Sequence, residues 1–262
     1  MKLENPLNRL DWTVEQHWAD YSQTEHQVWQ TLFERQTRLL PGRVCEEFMQ
    51  GMNKLPLSSF EIPDFSKLNR TLKKQTAWEI VPVAGLVPDE VFFEHLANRR
   101  FPVGRFIRRA DQLDYLEEPD VFHDLFGHVP MLMNPIIADF VQAYGQGGLR
   151  AKALGFLPML ARVYWYTIEF GLVMQDGFKI YGAGIASSFG ETSYALESTK
   201  PHRLAFELAR VMRSEYRIDD FQETYFVLNG IEDLLKLADI DFEPLYRSLA
   251  GQPSLPAGWQ SN

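Results

Sequence analysis

Apolar residues recur at helical spacing along most of this chain. Val28, Trp29, Leu32, Phe33, Leu39 and Leu40 fall mainly on one helical face, and Thr24 followed by Gln27 resembles a capping box at its start. Pro41-Gly42 interrupts the period before Val44, Phe48 and Met52 resume it. Further helices are predicted at about 89–98, 119–128, 135–145, 157–175, 203–214 and 231–238, with Gly-rich or Pro-marked stretches between them. Pro56, Pro63, Pro82 and Pro88 surround the run Ala77 to Val87, whose β-branched residues predict a short strand in a little sheet. A doubly wound sheet would need regular alternation of strand and helix, which is missing, so the expected fold class is mainly α.

No repeat, low-complexity tract or sharp composition shift divides the sequence. The expected organisation is an irregular segment over 1–23, with Asp11, Trp12, His17 and Trp18 packing on the surface, one domain over 24–250, and a tail over 251–262. With 262 residues and 45% hydrophobic content, the chain can build its core without staples. A formal net charge of −9 opposes a nucleic acid partner, because phosphate binding needs clustered Lys and Arg. The single cysteine, Cys45, excludes an intramolecular disulfide and reads as a small core hydrophobe. The first residues carry acids, Asn and Pro and lack a continuous apolar stretch, so the expected setting is the cytoplasm, with no membrane contact.

The most informative segment runs from Glu118 to Pro130 and holds two of the chain's 6 histidines, His123 and His128. At about 100° per residue, positions five apart on a regular helix diverge by about 140°, so the two imidazoles cannot converge there. Gly127 and Pro130 bracket His128, and a wider turn at that point brings the rings together. Two readings stay open on spacing alone: a pair of hydrogen-bonded histidines near a helix end, or two ligands in need of a third. Glu169 lies in the almost uncharged run from Ala161 to Val173, where a carboxylate must meet a cation, strong donors or a metal. Arg162, two turns earlier, is one candidate partner; a metal ion is the other.

Two imidazoles with one carboxylate and no thiolate form the facial set that leaves adjacent positions open on iron(II). Zinc hydrolases use similar ligands. Phe92, Phe122, Tyr164, Trp165 and Phe189 suggest a pocket for flat aromatic rings over a polar hydrolytic cleft. A zinc hydrolase and a non-catalytic binder of aromatic ligands are the rival classes.

Four ordered blocks carry a resemblance. They are Pro82-Val83-Ala84-Gly85-Leu86; Tyr115 with Glu118-Pro119-Asp120 and His123 to Pro130; Tyr164-Trp165 with Glu169-Phe170-Gly171; and Tyr181 to Gly184 with Ser187 to Glu191. From about Thr24 to about Leu245 the chain resembles the catalytic domain of the pterin-dependent aromatic amino acid hydroxylases, most of all their bacterial phenylalanine-hydroxylating members. The resemblance implies a single-domain catalytic fold, helices around an iron site with a few short strands. It implies that His123, His128 and Glu169 bind Fe(II) and are catalytic, and that Ser187 hydrogen-bonds an iron-bound imidazole. Arg108 corresponds to the clamp for the substrate carboxylate, a role suited to a planar bidentate donor. Tyr115, Pro119, Trp165, Gly184 and Ser188 join Arg108 and Ser187 around the substrate. Phe92 corresponds to the aromatic on which the pterin stacks, with Gly85, Val87, Asp124, Ala161 and Tyr164 as further contacts to a tetrahydrobiopterin or related tetrahydropterin.

The chain departs from the animal pattern at Leu116, where they carry Thr, at Asp124, where they carry Glu, and at Asp89, where they carry Ser. Ile218 falls near a position where tyrosine hydroxylases place Asp, and an apolar residue there favours phenylalanine. The expected partners are L-phenylalanine, O2 and the tetrahydropterin, in a monomer or weak homodimer serving phenylalanine catabolism.

Overall fold

The computed structural model describes residues 5–114 and 118–258. Helix α1 (Gln23–Leu39) is closed by a capping box, but Ser22 and Glu25 form it: Ser22 N donates to Glu25 Oε2 at 2.7 Å and Glu25 N to Ser22 Oγ at 3.3 Å. Thr24-Gln27 lies two positions too late, and Glu25 supplies a charged acceptor where Gln27 offers a neutral one. After the Pro41-Gly42 turn, where Gly42 takes φ 78°, come α2 (Glu46–Lys54) and α3 (Phe65–Thr76). Helix α3 went unanticipated because its apolar stripe is thin, Phe65, Leu68 and Leu72 among Lys, Arg and Asn.

Strand β1 (Glu79–Val83), helix α4 (Asp89–Ala97) and strand β2 (Arg100–Gly104) form one crossover unit, with β1 and β2 paired parallel from Glu79↔Arg100 to Val83↔Gly104. The described residues before α1 are tied to the rest of the fold. Thr13 bridges to Val83, Trp18 Nε1 donates to Ile62 O at 2.6 Å, and Asp11 pairs with Arg100 at 3.0 Å.

A wide helical turn over His123–His128 leads into α5 (Val129–Leu132) and then α6 (Pro135–Leu154). Helix α6 outruns the expected end near 145 because Gly145 and Gly148 are packing sites, not stops. A Cβ on Gly145 would fall 2.4 Å from Ala97 N and one on Gly148 2.2 Å from the Phe93 ring, where α4 lies against α6.

Helix α7 (Leu157–Tyr164) passes through a second wide turn, Trp165–Glu169, into β3 (Leu172–Met174) and β4 (Phe178–Ile180). The helix expected to reach 175 therefore ends early. Gly171 and Gly182 explain it, since a Cβ on Gly182 would sit 2.4 Å from Gly171 N, so the chain folds back on itself there. Next are α8 (Ala183–Ser187), α9 (Phe189–Glu197), β5 (His202–Ala205), α10 (Leu208–Arg213), β6 (Thr224–Leu228), α11 (Asp233–Ala238) and α12 (Phe242–Leu249). The helix expected over 203–214 is thus a strand followed by a shorter helix. Strand β5 is claimed by β6, its parallel partner, and tertiary pairing overrides local pattern.

The second sheet has the order β4-β3-β6-β5, with β3 antiparallel to β4 and parallel to β6. Every residue of β6 is buried, as suits the middle of a covered sheet. The mainly helical architecture with a few short strands is as the sequence leads one to expect. Cys45 is fully buried at the start of α2, as its reading as a core hydrophobe requires. No described helix is long and apolar enough to cross a membrane.

Candidate metal centre

Asp120 sets the first half of the site. It precedes the helical residues Val121 and Phe122, and its Oδ1 accepts from His123 N at 3.0 Å, as an N-terminal cap does. The turn that follows, His123–His128, is π-helical. Backbone bonding from i to i+5 brings positions five apart onto one face, as i to i+4 does in an α-helix, so the spacing that fails on a regular helix succeeds here. Gly127 permits the turn to lie directly on α8, since a Cβ there would meet Ala183 O at 2.8 Å. Pro130, without an N–H, relaxes the ladder just beyond.

Glu169 ends the second π-helical turn, in which Phe170 N donates to Trp165 O at 2.8 Å. Arg162 is not its partner: that guanidinium donates to Met212 O at 2.9 Å and Ser254 Oγ at 3.2 Å. Glu169 instead meets the imidazoles, with Oε1 3.1 Å from His128 Nε2 and Oε2 3.6 Å from His123 Nε2, while the two Nε2 atoms lie 3.2 Å apart. One ligand atom from each residue lies within 4.8 Å of the others.

The charges of the three side chains bear on what they can hold. Burial pushes His123 down to about 4, keeping it neutral. Burial opposes the charged form of both His128 and Glu169, yet each holds the other charged: Glu169 raises His128, and His128 keeps Glu169 below the usual carboxylate range. A buried carboxylate thus borrows a proton on His128 as its counter-charge, a place that a metal cation fills better.

Ser187 prepares the other imidazole. Its Oγ lies 2.9 Å from His123 Nδ1 and 2.8 Å from Ala183 O. The one hydroxyl proton goes to the carbonyl, so Oγ accepts from Nδ1–H and the Nε2 lone pair faces the centre. Two neutral nitrogens and a carboxylate without thiolate are the donor set of a ferrous ion in an open site, and the residues present fit one.

His123 and Glu169 also line a cavity of about 370 Å³. Arg108, Pro119, Trp165, Gly184, Ser187 and Ser188 line it with them, so the sequence-derived substrate set comes together around one space. Tyr115 lies outside the described residues, as does Leu116. Arg108 is aimed by Asp120, which accepts from Nε at 2.8 Å and Nη2 at 2.9 Å; Nη1 donates to Leu113 O at 3.3 Å, which leaves one N–H on each of Nη1 and Nη2 for a ligand carboxylate. Trp165 donates from Nε1 to Gln222 Oε1 at 3.0 Å and stacks on Tyr216 at 4.2 Å, which fixes its ring as a wall. Ile218 stands at the rim, 73% exposed.

The residues assigned to the pterin line no part of this cavity. Phe92 and Tyr164 meet edge to face at 5.9 Å, and Tyr164 stacks over His128 at 6.4 Å, placing an aromatic pair beside the metal cluster. Asp124 is buried and accepts from Gly104 N at 2.8 Å; burial pushes its carboxyl up to about 7. Gly85 abuts Glu118, whose Oε1 accepts from Leu86 N at 3.3 Å. Val87 and Ala161 are half-buried.

Asp120, Phe170, Glu191 and Gln222 stand at the site without a role expected from sequence. Asp120 was legible as a cap three residues before His123. Ser188-Phe189-Gly190-Glu191 has the pattern of a capping box, and Glu191 N does donate to Ser188 Oγ at 3.3 Å, but its side chain turns inward. Gln222 had no local signal.

The comparisons agree with this geometry. A family model described as biopterin-dependent aromatic amino acid hydroxylase matches residues 14–240. A phenylalanine-4-hydroxylase of Ralstonia nicotianae is 56% identical over 257 residues, which is 98% of this chain and 82% of that protein. Phenylalanine hydroxylase of Chromobacterium violaceum with bound oxidised Fe(III) superposes with a TM-score of 0.94 at 54% identity, covering 97% of this chain and 93% of that one. The iron- and phenylalanine-bound structure of the Chromobacterium violaceum enzyme gives 0.92 at 52% identity, covering 96% and 92%.

Proposed function

We propose, since this chain belongs to the biopterin-dependent aromatic amino acid hydroxylases, that it is a monooxygenase converting L-phenylalanine to L-tyrosine with O2 and a tetrahydropterin. The observation that carries the reading is the convergence of His123, His128 and Glu169 beside a cavity that His123 and Glu169 line together with Arg108 and Trp165. Ferrous iron, when bound, supplies a redox-active centre for oxygen, and the tetrahydropterin supplies two electrons.

His123, His128 and Glu169 would hold the ion, a donor set that can leave positions open for oxygen and substrate. Ser187 keeps the His123 ring in the tautomer that presents Nε2. Arg108 takes the amino acid carboxylate on the guanidinium end that Asp120 leaves open, and Trp165 and Pro119 grip the ring so that its far edge points to the ligands. Phe92 and Tyr164 offer the aromatic surface for the pterin, with backbone groups near Gly85 and Val87 reading its polar edge and Ala161 and Asp124 beside it. Filling both spaces displaces water from the centre, so oxidant is not wasted. We place the protein in the cytoplasm, where a chain with one buried cysteine needs no oxidising surroundings.

Anaerobic titration with ferrous ion, followed by oxygen uptake with phenylalanine and tetrahydropterin, tests the proposal. The expected result is uptake of one ion per chain and tyrosine formation that requires all three. A zinc hydrolase would consume no oxygen, and a simple binder of aromatic ligands would take phenylalanine without metal; either result would overturn the reading.

A further inference from the structure

The cavity must accommodate a zwitterion if its ligand is an amino acid, and Arg108 answers only the carboxylate. Most acidic side chains around the space are already committed. Asp120 is spent on Arg108, Asp114 on Arg35 and Asp219 on Arg217, whereas Glu118, half-buried with Oε1 on Leu86 N, and the exposed Asp220 stay in reach of solvent. Glu191 is different. It is 6% exposed, lies at the first turn of α9 and lines the cavity. Its Oε1 accepts from Tyr225 Oη at 2.7 Å and from Gln222 N at 3.1 Å. Among the described residues Oε2 has no hydrogen-bond partner, and the side chain stands on the cavity wall. Burial pushes the carboxyl up to about 7, the mark of a buried acid without a counter-charge.

We propose that Glu191 is the acceptor for the α-ammonium group of the amino acid, its Oε1 fixed by Tyr225 and Gln222 so that Oε2 faces the ligand. The inference rests on the reading of the cavity as the amino acid site and adds the second half of its recognition. Two buried charges of opposite sign, Arg108 on one element and Glu191 on another, then read the two ends of a zwitterion, while Trp165, tied to the same Gln222, reads the ring. The cavity is thereby specific for α-amino acids over aromatic acids or amines.

The test is equilibrium binding to the full chain by calorimetry with three probes: L-phenylalanine, 3-phenylpropanoate, which lacks the amine, and phenethylamine, which lacks the carboxylate. Glu191→Gln keeps the acceptor for Tyr225 and Gln222 and removes the charge. It is expected to weaken phenylalanine and phenethylamine by roughly 10- to 100-fold and to leave 3-phenylpropanoate unchanged. Arg108→Gln is expected to give the reverse selectivity. If Glu191→Gln weakens 3-phenylpropanoate as much as phenylalanine, the residue is merely structural and the proposal is overturned. Unchanged phenylalanine binding also overturns it. Should the Gln variant fail to fold, Glu191→Asp carries the same selectivity test. If the parent protein binds none of the three probes, the reading of the cavity itself falls, and this inference with it.

Discussion

Asp120 grips Arg108 by two parallel bonds of 2.8 and 2.9 Å, and the same carboxylate caps the turn that begins at His123. One buried side chain therefore aims Arg108 at the cavity and starts the turn that carries His123 and His128. Burial alone would raise its pKa, but Arg108 overrides it and holds the carboxyl below its ordinary value. Asp120→Ala leaves a buried guanidinium unpaired and should cost about 3–5 kcal/mol in urea unfolding. Asp120→Asn should keep the shape, cost less, and raise the phenylalanine KM more than the pterin KM. Equal changes in both constants would mean that Arg108 does not depend on Asp120 for its aim.

Ser187→Ala removes the acceptor for His123 Nδ1–H. Metal affinity, measured by chelator competition with ferrous or cobalt ion, should fall by about 10- to 100-fold while the fold is kept. An unchanged affinity would show that packing alone orients the ring.

Glu169→Gln keeps the volume of the side chain and removes the single negative charge of the cluster. Metal uptake and tyrosine formation should both be lost, and His128, deprived of the charge that raises it, should titrate lower by NMR in the metal-free protein. His123→Ala and His128→Ala should also abolish metal uptake. Full activity with any one ligand missing would refute the trio.

Glu191 gives stability a pH signature. Its folded pKa, about 7, lies above the ordinary 4.5, so its contribution is whole below about pH 4.5 and is lost as pH rises through about 7. Glu191→Gln does not titrate. The unfolding free energy of the variant minus that of the parent should therefore grow with pH across this window, by up to about 3 kcal/mol. A flat difference would mean that the group is not perturbed.

Gly145→Ala places a Cβ 2.4 Å from Ala97 N, a backbone atom that cannot swing aside. The expected cost is about 1–3 kcal/mol. Because α4 also carries Phe92, the pterin KM should rise while the phenylalanine KM changes little.

The parts legible in the sequence were those with local signals. The His pair announced a widened turn through Gly127 and Pro130, and Glu169 stood out as one carboxylate in an uncharged run. Neither signal said whether Arg162 or a metal answers that carboxylate, since the direction of Arg162 depends on where α10 lies. Other elements were misjudged where tertiary contact overrides local pattern. Gly145 and Gly148 look like helix stops and are contact points with α4. His202 to Ala205 looks helical and is drawn into a sheet by β6. Gln222 and Tyr225 have no pattern of their own; they matter because the fold lays them beside Glu191.

The walls of the cavity come from Arg108, the turn at His123, the turn that follows α7, the α8–α9 corner and the loop before β6. No contiguous stretch of the polypeptide owns it. A trimmed fragment would lose recognition and metal holding together, and during folding the pocket must close among the last features, after partners far apart in covalent order have found one another. Anyone grafting this chemistry onto a smaller scaffold would have to transplant positions, not a segment.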